Sequence, residues 1–387
     1  MLYTFLLLLP FNVAEQFECT MEKRDDENVC VYRNVVYRSK MTDTTWKAPA
    51  GKIQHVAFED SSLETTPNEL LNGFPDLRSL SVPNANLTSL IIPPGLERLY
   101  ASNNRINRIT VKQTRGNTKL TELMLDSNNL ADVSNLTQLE NLEILNLSGN
   151  KELPNDGTID LGLFSGMPKL RHLTLSDMGI FYLENEKHVS LPQLELLDLS
   201  NNHLLTSNFD VKVLAPLKSL QYLWLGYNQL KDLNVLQLTK GNPQLKQIYL
   251  EGNHFKCDQQ RLILDHLHKT GIETPVTNKE SRCLLGFDKN DDMCCIPTMP
   301  GGGPQTPVTL PHPDVAHEED DHMPYGTSTS SSEPLLVSGK EGMKRTTTPT
   351  PIVPKWNESK NEATTVMLAF LVAIATTLLV AVAQQKH

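Results

Sequence analysis

LQYLWLGYNQL, residues 220–230, sets leucine at Leu220, Leu223, Leu225 and Leu230 and asparagine at Asn228. The spacing L-x-x-L-x-L-x-x-N-x-L fits one coil of a chain that turns back on itself once per unit. The four leucines point inward and stack on their counterparts in neighbouring coils, which builds a continuous apolar core from units too small to bury one alone. Asn228 falls where the chain leaves a strand and turns. Its amide carries N–H donors and an acceptor oxygen, so it can satisfy backbone groups that the bend removes from a sheet ladder. That need selects asparagine rather than any polar residue.

The same frame recurs as LERLYASNNRI from Leu96, LTELMLDSNNL from Leu120, LEILNLSGNKE from Leu142, LRHLTLSDMGI from Leu170, LELLDLSNNHL from Leu194 and LKQIYLEGNHF from Leu245. Two weaker copies precede them, IQHVAFEDSSL from Ile53 and LRSLSVPNANL from Leu77. About nine repeats result, at roughly the twenty to twenty-nine residues per unit of this class. Asn104, Asn128, Asn150, Asn202 and Asn228 hold the ninth position, with a sixth copy at Asn253. The expected fold is an α/β solenoid, a leucine-rich repeat horseshoe over residues 53–256. Connecting segments such as 64–76 and 161–169 read as short helical or irregular turns on the outer side. They are bulkier than strands about 4.8 Å apart, so the stack bends and the strands line a concave face.

The 387-residue chain is 39% apolar with a formal charge of -10 and six cysteines. That allows a sizeable core and argues against a nucleic-acid partner. Residues 1–14, MLYTFLLLLPFNVA, read as a secretory signal peptide ending at Ala14. Residues 15–52 read as an N-terminal cap, with CVYRNVVYR (30–38) as a strand over the first coil. Cys19 and Cys30 lie just before the repeats, Cys257 and Cys283 just after them. The expectation is a Cys19–Cys30 and a Cys257–Cys283 disulfide closing the two ends in an oxidising compartment.

The C-terminal cap, 257–296, opens with a helix in which Asp258 caps the start, Leu262, Ile263 and Leu267 shield the last repeat, and Gly271 ends the element. His266 and His268 fall on different faces and read as surface residues rather than metal ligands. Cys294 and Cys295 are adjacent, so at least one pairs elsewhere. An intermolecular disulfide, giving a homo- or heterodimer, stands beside the alternative that one of them closes the cap. Residues 297–362 are rich in Pro, Ser, Thr and Gly and read as an extended, O-glycosylated stalk. Within it, HPDVAHEEDDH (312–322) reads as a solvating run. Val366–Ala383 is an uncharged apolar stretch inside a 363–387 segment, read as a single membrane span or as a GPI signal with Asn357, Ser359 and Asn361 before it.

On the concave side the central strand residues run Tyr100, Met124, Asn146, Thr174, Asp198, Trp224, Tyr249. Tyr222, Trp224, Tyr227 and Tyr249, read as exposed beside Asp198, have the composition of a protein-binding hot spot. Sequons for N-glycosylation stand at Asn86, Asn135, Asn146 and Asn357. A glycan on Asn146 would push a partner toward the aromatic end. No nucleophile elbow, metal-ligand spacing or phosphate loop stands out, so neither an enzyme, a metal nor a cofactor is expected.

CVYRNVVYR, IQHVAFEDSSLETTP, the repeats, GNHFKCDQQ and DDMCC together resemble the mosquito leucine-rich repeat immune proteins over about residues 15–296. The resemblance implies a secreted or membrane-attached factor of innate immunity; some members form disulfide-linked pairs and stabilise a complement-like thioester protein. Cys294 and Cys295 match the family's double-cysteine motif. Lacking a C-terminal coiled coil and having a stalk and apolar segment, the chain is similar to the transmembrane subgroup. The expectation is a cell-surface recognition protein binding a protein or microbial-surface ligand on its concave face. The alternative is a cell-adhesion or developmental surface protein.

Overall fold

The computed structural model describes residues 15–298, apart from 25, 42–43, 114–115 and 278–281. Residues 1–14, read as a signal peptide, and residues 299–387, which hold most of the segment read as a stalk together with Asn357 and the apolar stretch 366–383, lie outside the described residues.

Each leucine frame contributes one short strand: His55–Glu59, Ser79–Ser81, Arg98–Tyr100, Glu122–Met124, Ile144–Asn146, His172–Thr174, Leu196–Asp198, Tyr222–Trp224 and Gln247–Tyr249. They pair in parallel, in sequence order, within one sheet. The register aligns Leu99, Leu123, Leu145, Leu173, Leu197, Leu223 and Ile248, the fourth position of each frame. All seven are essentially inaccessible to solvent. A parallel strand needs a crossover, and here it is the outer half of each repeat. That half holds short helical elements: four-residue 3-10 turns such as Leu161–Phe164 and Val211–Leu214, and α-helices of fewer than two turns, Asn68–Gly73 and Val235–Gly241.

The ninth-position asparagines tie each coil to the one before it. Asn202 Oδ1 accepts from the Met178 and Ile180 N–H groups at 3.0 and 3.1 Å, and its Nδ2 donates to the Leu175 and Leu199 carbonyls at 2.9 and 3.0 Å. Asn104, Asn128, Asn150, Asn228 and Asn253 repeat this pattern. In the frame from Leu170 the ninth residue is Met178. The preceding coil there takes a different course, and the Leu153 N–H turns back to the Asn150 carbonyl. The eighth position also has a fixed job. Asp60, Asn84, Asn103, Ser127, Gly149, Asp177, Asn201, Tyr227 and Gly252 all have φ between 46° and 76°. This left-handed turn favours Gly, Asn and Asp.

The N-terminal cap adds Glu27–Arg33 in parallel to the first repeat strand and Thr20–Arg24 antiparallel to that, completing eleven strands. Cys19 and Cys30 are joined. Beneath them Phe17, Tyr32, Trp46 and Phe58 pack as an aromatic plug, with Tyr32 and Phe58 stacked and Trp46 edge-on to both.

The C-terminal cap departs from the sequence reading in three ways. Cys257 pairs with Cys295, not with Cys283, and Cys283 pairs with Cys294. The reason is the hairpin Asp288–Asn290/Met293–Cys295. Successive residues of a strand face opposite sides, so Cys295 turns into the cap and Cys294 turns out toward the Cys283 loop. Both cysteines of the pair are thus bonded within the chain, which removes the thiols that the intermolecular-disulfide reading needs. Secondly, the helix runs Cys257–Lys269 with Lys256 at its N-cap and no side-chain cap bond, so Asp258 sits in the first turn. Thirdly, Ile263, Leu264 and Leu267 face the last repeat, whereas Leu262 is 64% exposed. One residue is 100° of helix, enough to carry it off the buried stripe. Among the described residues no helix is long and apolar enough to cross a membrane.

Candidate ligand-binding face

Each repeat strand presents two side chains away from the leucine core, at the third and fifth positions of its frame. The third-position lane reads His55, Ser79, Arg98, Glu122, Ile144, His172, Leu196, Tyr222, Gln247. The fifth reads Ala57, Ser81, Tyr100, Met124, Asn146, Thr174, Asp198, Trp224, Tyr249.

Charge is concentrated near the N-terminal end. Arg98 Nη2 donates to Glu27 Oε1 at 2.5 Å, with His55 Nδ1 3.3 Å from the same guanidinium nitrogen. Next along, the Tyr100 hydroxyl donates to Glu122 Oε2 at 2.7 Å. Glu122 is only 1% exposed, and its Oε1 has no hydrogen-bond partner among the described residues. Burial raises its pKa above the usual carboxylate range, partly offset by the tyrosine bond.

The middle is a polar relay. Asp126 Oδ1 accepts from Ser102 Oγ at 2.6 Å and Asn146 Nδ2 at 3.2 Å; Asn146 Oδ1 accepts from Ser148 Oγ at 2.7 Å; Ser176 and Ser148 hydroxyls lie 2.9 Å apart. Burial raises the Asp126 pKa as well. His172, held neutral by burial and then by Arg171, has its pKa lowered to about 4. Asp198 repeats the Asn146 geometry: its Oδ1 accepts from the Ser200 N–H and hydroxyl. Burial pushes its pKa up to about 6 against the Ser200 bonds that lower it.

The aromatic end is closed rather than exposed. Trp224 is 8%, Tyr249 3% and Asp198 4% exposed, and Leu196, Trp224 and Tyr249 form a cluster of their own flanked by Tyr222 and Tyr227. The sequence places these residues on the outer face but does not weigh their neighbours. Asp198, Trp224 and Tyr249 stand side by side in register, and each covers the next. The Tyr249 hydroxyl is also held by Glu251 at 2.9 Å, and Glu251 in turn accepts from Thr277 of the cap. Two glycines admit the rings: a Cβ at Gly226 would overlap Tyr249, and one at Gly252 would overlap Tyr227. Tyr222 and Tyr227 keep partial exposure.

Of the sequons, Asn86 and Asn135 are exposed outside the repeat strands, and Asn146 is half-buried in the relay. The Arg98–Glu27 and Tyr100–Glu122 pairs were not singled out from sequence. The visible signal was the charged third-position lane, which shares the frame of the fifth. His266 and His268 bond to separate threonines, Thr239 and Thr274. Among the described residues no group of three or more His, Cys, Asp or Glu side chains is placed to hold a metal.

A leucine rich repeat family model matches residues 94–151. The fold is a leucine-rich repeat solenoid. Chicken Tsukushi is 30% identical over 230 residues, covering 57% of this chain and 59% of Tsukushi. Human Podocan-like protein 1 is 32% identical over 194 residues, covering 48% of this chain and 36% of the relative. Pig Toll-like receptor 9 is 29% identical over 46% of this chain and 16% of the receptor. The chain therefore spans less than two thirds of the length of these relatives. Among solved structures it is similar to the LRIM1/APL1C complex (19% identity, TM-score 0.45, 74% of this chain and 72% of that one). It is also similar to the leucine-rich repeat domain of APL1B (26% identity, TM-score 0.47, 64% and 66%).

Proposed function

We propose that this protein is a recognition protein of the cell surface, acting in innate immunity, that binds a protein or microbial-surface ligand on the face of the sheet opposite the leucine core. The observation that carries this reading is the face itself. It is a rigid lattice of side chains set on hydrogen-bonded strands, with Arg98, Asn146, Thr174, Tyr222, Tyr227 and Gln247 each partly exposed. Preorganised side chains lose little conformational freedom on binding. Tyr222 and Tyr227 are the aromatic contacts; Trp224, Tyr249 and Asp198 support them from below. Three intrachain disulfides fit an oxidising, extracellular setting. The stalk and the apolar stretch 366–383 supply a tether, by membrane span or GPI link. The double-cysteine cap is the feature that resembles the mosquito immune proteins.

The test is site-directed photo-crosslinking, with the reactive side chain at Thr174 or Tyr222 and, as the comparison, at exposed Lys218 on the outer half of its repeat. The full-length protein is exposed to extracellular fluid and to microbial surfaces. Adducts from Thr174 and Tyr222 but not Lys218 are expected. Adducts equally from Lys218, or from none of the three, overturn the assignment.

A further inference from the structure

The cap helix Cys257–Lys269 buries Gln260, Ile263, Leu264 and Leu267. Its opposite face is open along its whole length: Arg261, Leu262 and Asp265 are exposed at its centre and Lys269 at its end. Leu262 is apolar and 64% exposed, and Leu236 on the neighbouring helix Val235–Gly241 is exposed too. The two helices touch through His266 Nε2 and Thr239 Oγ1, 3.0 Å apart. Neither Arg261 nor Asp265 forms an ion pair among the described residues.

We propose that a second copy of this chain packs on this face, the two cap helices lying antiparallel about a two-fold axis that crosses the exposed side of the helix level with residue 263. The occupant is chosen by charge. An antiparallel pair centred on residue 263 brings Arg261 of one copy opposite Asp265 of the other, and the symmetry makes that contact twice. The same operation brings Asp258 toward His268 and Lys269 at the other copy's far end. Leu262 meets its own counterpart across the axis, offset by about 3 Å along the helix at about 1.5 Å per residue. A parallel arrangement would set Arg261 against Arg261 and lose both pairs. The helix is about 20 Å long, so the interface belongs to the small class, below about 1,200 Å², whose members associate weakly. The association is non-covalent and concentration-dependent, in keeping with six cysteines all bonded within the chain.

The experiment is sedimentation velocity of the full chain, in one detergent throughout, from about 1 to 200 μM, a span chosen to bracket weak association. Wild type is expected to shift from monomer to dimer. Arg261→Asp and Asp265→Arg are each expected to weaken the dimer more than tenfold, since each sets like charges opposite each other twice. An equimolar mixture of the two variants is expected to restore it, because every facing pair is then opposite in sign. That recovery also excludes misfolding as the cause of the single-variant losses. Wild type monomeric throughout, association indifferent to either substitution as it would be through the apolar stretch 366–383, or no recovery in the mixture would each overturn the proposal.

Discussion

Replacing Asn202 by alanine removes one amide and disturbs two coils. The Asn202 side chain is 3% exposed. Its oxygen is the acceptor for the Met178 and Ile180 N–H groups, and its nitrogen serves the Leu175 and Leu199 carbonyls. After truncation two buried N–H groups lose their acceptor. Each orphaned group costs about 1–3 kcal/mol, and the carbonyls, which have a second lone pair, cost less. The sum is about 3–5 kcal/mol. At about 2 °C per kcal/mol for a domain of this size, the melting temperature falls by roughly 6–10 °C. Asn202→Asp is expected to be worse at neutral pH than Asn202→Ala, although it preserves shape. It would turn an ionised oxygen toward the Leu175 and Leu199 carbonyls, a repulsion that protonation relieves. Thermal and urea unfolding followed by circular dichroism, at pH 7 and pH 4, measure both effects. A fall in melting temperature of less than about 2 °C for the alanine variant would show that these bonds do not hold neighbouring coils together.

Asp198 supplies a second prediction. Its pKa is about 6 in the fold against an ordinary 3.8, so the native state takes up the proton more readily than the unfolded chain. The ionised group therefore weakens the fold above about pH 6, and stability rises as pH falls from 6 toward 4. From 3.8 to about 6 the penalty is about 3 kcal/mol. Asp198→Asn keeps the Oδ1 acceptor for Ser200 and is expected to raise stability at pH 8 and flatten the profile between pH 4 and 6.5. It creates an Asn-Leu-Ser sequon, so the variant belongs in a periplasmic bacterial host; an unchanged pH profile would refute the assignment. Glu22 acts in the opposite sense. Hydrogen bonds from Arg33 and Arg24 lower its pKa to about 2, so its contribution is present above about pH 4.5 and fades as pH falls toward 2. Gly226→Ala would drive the Tyr249 ring out of place and is expected to cost about 1–3 kcal/mol of overpacking, with a changed near-ultraviolet spectrum; an unaltered spectrum and stability would contradict the packing. Peptide mapping without reduction is expected to recover Cys257 linked to Cys295 and Cys283 linked to Cys294, and a Cys257–Cys283 peptide would overturn that pairing.

The repeats were legible because their information is local and redundant. Leucine at four places and asparagine at the ninth state both which groups face inward and how the turn is satisfied. The same bonds then form at Asn104, Asn128, Asn150, Asn202, Asn228 and Asn253. The cap pairing was less legible because it depends on a hairpin, Asp288–Asn290 with Met293–Cys295, whose alternation separates two adjacent cysteines. Leu262 was misplaced by a single step of helical phase. The aromatic end was assigned the correct face but the wrong exposure. Alternation along a strand says which way Trp224 points, while its burial depends on Asp198 and Tyr249, which come from other repeats and meet it only through register. Charged pairs between strands far apart in sequence, such as Arg98 with Glu27 of the cap, are invisible for the same reason.

The Cys257–Cys295 bond has a mechanical meaning. Any tension entering the chain beyond Pro297 passes from Cys295 to Cys257 through two sulfur atoms. It bypasses the helix Cys257–Lys269 and everything else inside that covalent loop. Pulling on the chain beyond Pro297 thus loads the coil that begins at Leu245 directly. Its asparagine, Asn253, binds that coil only to the preceding one. Coils would peel away one by one from the pulled end, each releasing about 80 Å of chain at about 3.4 Å per residue, while the covalent loop from Cys257 to Cys295 adds no length of its own.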